Sequence, residues 1–291
     1  MLICSLIAPP GGLSVDMAGN LFNAWGEREL TWLHPLEAAE FEIAAMPENR
    51  WQVWRDLQAM GVDLVIQPKA GRRKKLLLAD MDSTMIEQEC IDELADLAGV
   101  GPQVKGITTK AMNGELDFEQ ALRARVALLE GQPASIIDQA LKTRIFFTAG
   151  GAELLATMKA NGAYTALVSG GFTAFTQPVS QHLGFHEHHA NQLLVDQGVV
   201  TGQVSDPILG QQAKVEALER LNAQLSITAQ DVLAVGDGAN DLGMLKRAGS
   251  GVALHAKPSV AAQCDIRINH GDLTALLFLQ GYPRSAFRNG V

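Results

Sequence analysis

Short aliphatic runs that stop abruptly at polar residues set the rhythm of most of this chain. Leu76 to Ala79 is wholly apolar, follows a basic stretch and ends at Asp80-Met81-Asp82-Ser83-Thr84. A run of this kind, bounded by turn-like polar residues, predicts a strand buried on both faces. Tyr164 to Val168 ends in the same way at Ser169-Gly170-Gly171, and Val232 to Val235 at Gly236-Asp237-Gly238-Ala239-Asn240-Asp241. Gly251 to Leu254 reads as one more short strand. Between these runs, Gly151 to Ala160, Phe175 to Leu183, Gln212 to Leu221 and Leu242 to Arg247 carry helical periodicity. Strands alternating with helices predict an α/β class and a Rossmann-like, mostly parallel sheet covered on both faces. Asp196-Gln197-Gly198, between Leu193 to Val195 and Val199 to Val204, reads as a hairpin turn.

Two stretches depart from this alternation. Gln88 to Leu97, Asp117 to Leu129 and Pro133 to Leu141 are helix-like and separated by glycine-containing turns. They predict a helical cap over residues 88–145, inserted into a core made of 73–87 and 146–291. Ahead of the core, residues 1–72 form a small α+β module. Its elements are a strand from Leu2 to Ala8, a helix from Leu13 to Trp25, and strands at Leu30 to His34 and Glu40 to Met46. A helix capped by Asn49 then runs to Met60, and a last strand covers Val62 to Ile66. The order β-α-β-β-α-β is the split ferredoxin-like pattern, and in element order alone it resembles the ACT family of small regulatory domains. The other reading is a structural appendage or one that joins two copies of the chain, so a homodimer through this module is an expectation. Gly71-Arg72-Arg73-Lys74-Lys75 reads as the boundary, its charges those of a solvated linker.

Composition narrows the partners. With 291 residues, 47% of them hydrophobic, the chain is long enough for two domains and a sizeable core. A net charge of -9 argues against nucleic acid or an anionic membrane as partner. An anionic substrate therefore needs cations of its own. Cys4, Cys90 and Cys264 are odd in number and scattered, with no ligand-like spacing, which predicts a reducing, cytoplasmic setting. The apolar start, Met1 to Ile7, lacks a preceding basic residue and is cut by Pro9-Pro10, so it reads as a poor signal peptide. No other apolar run approaches the length that spans a bilayer.

Parallel strands bring their carboxyl ends together, so the three polar termini are expected to converge on one cleft. Asp80 and Asp82 repel unless a cation or a proton offsets them. Carboxylates from two strands suit Mg²⁺, a hard cation that takes oxygen ligands. The glycines after Ser169 and around Asp237 let the backbone offer amides to a phosphate, and Lys214 can supply a missing positive charge. Phosphoryl transfer needs a nucleophile, a proton donor, a divalent cation and donors for the spreading charge.

In order, Asp80-Met81-Asp82-Ser83-Thr84, Ser169, Lys214 and Gly236-Asp237-Gly238-Ala239-Asn240-Asp241 resemble the four motifs of the haloacid dehalogenase-like phosphatases. The resemblance covers about residues 74 to 270. Finer features are similar to the phosphoserine phosphatase family of that superfamily. They are Val168-Ser169-Gly170-Gly171-Phe172, Glu89, Met112-Asn113-Gly114, and the stretch from Phe118 to Val126 that contains Arg125. The resemblance implies that Asp80 is the nucleophile and carries an aspartyl phosphate. Asp82 is then the acid and base, starting protonated. Asp80, the backbone carbonyl of Asp82 and Asp237 are the implied Mg²⁺ ligands, with Asp241 supporting them from behind. Ser169, the Gly170 amide and Lys214 are the implied phosphoryl donors, and Asn240 positions the substrate. The substrate implied is the small molecule O-phosphoserine, at the end of serine biosynthesis, with Glu89 taking its ammonium and Arg125 its carboxylate.

Taken singly, these features are ordinary. Ser169-Gly170-Gly171 is a turn, Lys214 a solvated helix residue, and Glu89 and Arg125 resemble many charges on helix surfaces. A phosphatase or phosphotransferase acting on another small phosphomonoester is one alternative, and a serine-sensing or assembly protein another. His186-Glu187-His188-His189 reads as an exposed loop rather than a metal site. Trp51 and Trp54 read as core.

Overall fold

The computed structural model describes residues 1–112 and 115–290. Asn113 and Gly114, part of the cap signature quoted above, and Val291 lie outside the described residues.

The first module contains β1 (Leu2–Ile7), α1 (Val15–Trp25), β2 (Thr31–His34), β3 (Ala38–Ile43), α2 (Arg50–Ala59) and β4 (Asp63–Pro68). Its sheet has the antiparallel order β2-β3-β1-β4, the ferredoxin-like arrangement that the element order predicts. Ser14 caps α1 by accepting from the Met17 amide at 3.1 Å. Asn49 does not do the same for α2. Its side chain makes no cap bond, and the chain enters the helix through a turn in which the Arg50 amide bonds the Pro47 carbonyl.

The rest begins with β5 (Leu76–Ala79), followed by α3 (Cys90–Leu97), α4 (Gly101–Met112), α5 (Phe118–Ala127) and α6 (Ser135–Thr143). Next come α7 (Gly151–Ala160), β6 (Tyr164–Phe172), α8 (Thr173–Leu183), β7 (Glu187–Asn191), β8 (Leu193–Asp196) and β9 (Val199–Val204). The chain ends with α9 (Gln211–Leu225), β10 (Val232–Gly236), α10 (Leu242–Arg247), β11 (Ser250–Leu254), α11 (Pro258–Ala261), β12 (Ile266–Ile268) and α12 (Ala275–Leu279). Six parallel strands lie in the order β12-β11-β10-β5-β6-β7, with β5 in the interior of the sheet. All four residues of β5 are fully buried, and they alternate between two cores. Leu77 and Ala79 pack with Leu154, Val179 and Phe278 on one face. Leu76 and Leu78 pack with Leu218, Leu221 and Met244 on the other.

The histidine-rich stretch is not the loop that its polarity suggests. Glu187 to Asn191 is the edge strand β7, paired with β6 from Ala166 opposite Glu187. Its polar side chains have partners: His186 Nδ1 lies 2.9 Å from Thr165 Oγ1, His188 Nδ1 lies 2.9 Å from Thr176 Oγ1, and Glu187 pairs with Arg220. The tryptophans also differ from expectation. Trp51 and Trp54 are half-buried, and Arg267 lies over both rings at 4.4 and 5.1 Å.

The hairpin β8–β9 forms its own two-stranded sheet and sits on the helical insertion. The Gly131 amide bonds the Val200 carbonyl at 2.9 Å, and the Ala134 amide bonds the Gly198 carbonyl at 2.8 Å. The first module is docked firmly on the core. Asp63, fully buried, accepts from the amides of Asn269, His270 and Gly271 at 2.9, 3.0 and 2.8 Å. Gln67 donates to the Leu279 carbonyl at 2.7 Å.

Candidate active site

A cavity of about 160 Å³ opens at the carboxyl ends of β5, β6 and β10, beneath the helical insertion. Asp80, Asp82, Gly170, Asp237 and Asn240 face it from the core. Glu89, Phe118 and Arg125 face it from the helices above. The three strand termini thus meet, as their parallel order requires.

Asp80 directly follows the last residue of β5. Its Oδ1 accepts from the Met81 amide at 2.8 Å and lies 2.6 Å from the Lys214 ammonium. Lys214 is 1% exposed and also donates to Asp241 Oδ1 at 2.6 Å. Asp241 in turn accepts from the Gly238 amide through Oδ2 at 2.9 Å. Lys214 thus joins Asp80, which lines the cavity, to Asp241 beside it. Burial and the Asp241 charge push Asp80 well above the usual carboxylate range, while Lys214 pulls it down. The two carboxylates raise Lys214 although burial lowers it, so the ammonium stays charged. One cation against two carboxylates leaves this buried triad short of positive charge. A glycine is required beside it: a Cβ on Gly236 would come within 2.3 Å of Asp241 Cγ.

Asp82 is held from two sides. The Cys90 amide, at the start of α3, donates to Oδ1 at 2.9 Å, and Ser169 Oγ donates to Oδ2 at 3.2 Å. Burial, then the charge of Glu89, push its pKa up to about 6, and those hydrogen bonds oppose the rise. Ser169 Oγ accepts from the Gly171 amide at 2.8 Å. The β6–β7 register slips between Val168 and Phe172, so Ser169, Gly170 and Gly171 leave the ladder at the cavity. Only glycine fits at the last of these, because a Cβ on Gly171 would lie 2.7 Å from Asp82 Oδ2.

Glu89 precedes α3 and accepts from Ser83 Oγ at 2.9 Å. Arg125, near the end of α5, donates through Nε to the Ala121 carbonyl at 3.2 Å. Burial lowers Arg125, and Asp92, Glu89 and Asp82 counter that.

Carboxylate oxygens of Asp80, Asp237 and Asp241 lie within 4.8 Å of one another. Asp241 is engaged by Lys214 and Gly238, but no donor among the described residues reaches the Asp237 carboxylate. Burial, Glu89 and Asp241 push the Asp237 pKa up to about 7. The Asp82 carbonyl also accepts no hydrogen bond among the described residues. An all-oxygen donor set with unmet negative charge fits a hard divalent cation.

Three residues escaped sequence reading. Asn191 donates to the Gly170 carbonyl at 2.8 Å and accepts from the Leu209 amide at 2.7 Å, bracing the serine loop. Phe118 reaches down from α5, where a Cβ on Gly170 would lie 3.0 Å from its ring. Lys257, after β11, lines the cavity. Asn191 and Lys257 belong to no motif recognised in the sequence. For Phe118 the signal was present, since it opens the stretch containing Arg125.

Residues 77–246 match the model of the haloacid dehalogenase-like hydrolases. A phosphoserine phosphatase of Haemophilus influenzae is 46% identical over 204 residues, which are 70% of this chain and 65% of that protein. A haloacid dehalogenase family hydrolase of Salmonella enterica serovar Typhi superposes with a TM-score of 0.85 at 30% identity, covering 96% of this chain and 98% of that one. A substrate-bound phosphoserine phosphatase gives 0.66 at 43% identity, over 71% of this chain and 98% of its own. The chain belongs to the haloacid dehalogenase-like hydrolases. Within that family it is a phosphatase, and its place is among the phosphoserine phosphatases.

Proposed function

We propose that this enzyme hydrolyses O-phosphoserine to serine and phosphate, with Mg²⁺ as cofactor. The observation that carries the substrate is the pairing of Glu89 and Arg125 on the helical insertion, facing the carboxylate cluster across one small cavity. A carboxylate and a guanidinium complement the ammonium and carboxylate of an amino acid, while a sugar phosphate needs neither. The likeness to a substrate-bound phosphoserine phosphatase supports the same reading.

In this mechanism Asp80 attacks phosphorus and forms an aspartyl phosphate. Lys214 draws the raised Asp80 pKa down toward the ionised form and, with Ser169 and the Gly170 amide, takes phosphoryl oxygens. Asp82 protonates the departing serine alkoxide oxygen, giving the hydroxyl, and then accepts a proton from the water that hydrolyses the aspartyl phosphate, for which its raised pKa suits it. Asn240 positions the substrate. Asp80, Asp237 and the Asp82 carbonyl would hold Mg²⁺, with Asp241 fixing Lys214. When bound, Mg²⁺ would offset the charge of these carboxylates and of the phosphoryl oxygens.

We assign residues 1–72 to a ferredoxin-like, ACT-like module, 88–145 to the cap, and 73–87 with 146–291 to the core. Cys4, Cys90 and Cys264 are free and buried, which fits a reducing, cytoplasmic setting for an enzyme of serine biosynthesis. No helix among the described residues is long and apolar enough to cross a membrane.

Phosphate release from O-phosphoserine, with Mg²⁺ and with EDTA, tests the reading. Turnover that needs Mg²⁺ and disappears in Asp80→Asn is expected. No release by the wild type, or undiminished release by Asp80→Asn, sinks it.

A further inference from the structure

The cavity has a second cation on its rim. Lys257 lies on the loop after β11 and faces the cavity from the core, opposite Arg125 on the insertion. The loop is pinned at three points. The His255 amide bonds the Ile268 carbonyl at 2.7 Å, the His255 Nε2 donates to the Gly271 carbonyl at 2.8 Å, and the Lys257 amide bonds the Asp237 carbonyl at 3.4 Å. His255 adopts a left-handed φ of 44°, which a non-glycine residue takes only under constraint. So the loop holds Lys257 beside Asp237 while its side chain stays exposed.

Lys214 is buried between Asp80 and Asp241, at the phosphoryl end of the site. Among the described residues no hydrogen bond or ion pair engages the Lys257 ammonium. Burial raises Asp237, on the core, and Asp92, on the insertion, and Lys257 opposes that rise at both. An unpaired ammonium at the mouth of a strongly acidic cavity attracts an anionic group of the incoming ligand.

We propose that Lys257 is a specificity-determining residue that grips the substrate carboxylate from the core side, together with Arg125 from the insertion. This rests on the phosphoserine reading above. The substrate then bridges the two parts of the enzyme, with one cation on each. A lysine is suited to this place: it acts as a point charge at a wet rim, while the planar guanidinium fixes orientation deeper in.

Steady-state kinetics of wild type, Lys257→Ala and Lys257→Arg on O-phosphoserine and 4-nitrophenyl phosphate, both with Mg²⁺, test it. The aryl ester has the phosphate but no carboxylate. Lys257→Ala is expected to raise KM for phosphoserine roughly two- to fivefold more than for the aryl ester, the scale of an exposed charge pair. Lys257→Arg recovers most of that loss, and in Lys257→Ala combined with Arg125→Ala the losses on phosphoserine are not additive. Equal losses on both substrates place Lys257 at the phosphate and overturn the proposal. A fall in kcat alone, reproduced by Asp92→Asn, makes Lys257 a latch between core and insertion and also overturns it. A wild type without phosphoserine turnover defeats the functional reading and this one together. Either of the other failures leaves that reading standing.

Discussion

Lys214 and Asp241 meet at 2.6 Å with 1% and 0% of their side chains exposed, and Asp80 lies as close to the same ammonium. Replacing Lys214 by methionine keeps most of the volume and removes the charge. Two buried carboxylates are then left facing each other, at a cost of about 3–5 kcal/mol. Urea denaturation of the metal-free protein is the measurement, and an unchanged midpoint defeats the claim. Lys214→Arg is expected to restore little, because the planar fork cannot reproduce two short contacts from one point.

Metal-free stability depends on pH through Asp82 and Asp237. Both are raised, to about 6 and about 7, from the ordinary value. Raised carboxyls contribute stability that is whole below the unfolded value of about 4 and lost as pH climbs through the folded values. The Tm of the metal-free protein should therefore fall between about pH 4 and pH 8. At pH 6 a cation must expel the Asp237 proton, while at pH 8 it need not. The Tm increase on adding Mg²⁺ is expected to be larger at pH 8. Calorimetry that finds a larger increase at pH 6 contradicts this.

Arg125 can hold a carboxylate through two parallel hydrogen bonds. Its removal is expected to reduce kcat/KM for phosphoserine by about 2–5 kcal/mol, and that for 4-nitrophenyl phosphate much less. Equal losses on the two substrates would assign Arg125 to folding of the insertion or to the phosphate.

Much of the site was legible because it sits where apolar runs stop. Asp80, Ser169 and Asp237 each terminate an apolar run, so periodicity alone located them. Asn191 was invisible because its strand β7 is an edge strand of polar residues. Those residues are satisfied by Thr165, Thr176 and Arg220, which lie far off in sequence. The hairpin β8–β9 was read as a hairpin, but its seat on the insertion depends on Gly131 and Ala134, which local pattern does not encode. Lys257 was missed because one lysine in a loop looks like any solvated lysine. The tryptophans were read by hydrophobicity, whereas Arg267, from the far end of the chain, fixes their place.

Asp63 shows that the first module is more than loosely appended. Asp63→Ala leaves three amides, one buried and two partly buried, without this acceptor, which should cost roughly 3 kcal/mol. Chemical denaturation would register the loss, and an unchanged stability would mean that water replaces the carboxylate.

The same contact bears on the order in which the molecule assembles. Asp63 and its three amide donors are 206 to 208 residues apart. Contacts so remote in sequence form late, since the intervening chain must be closed into a loop first. During synthesis Asp63 is made 206 to 208 residues ahead of the three amides that seat the first module, so the module waits for them. Until then the Asp63 carboxylate is solvated and the module has nothing to dock on. Seating of the module thus reports that the chain has been made past Gly271.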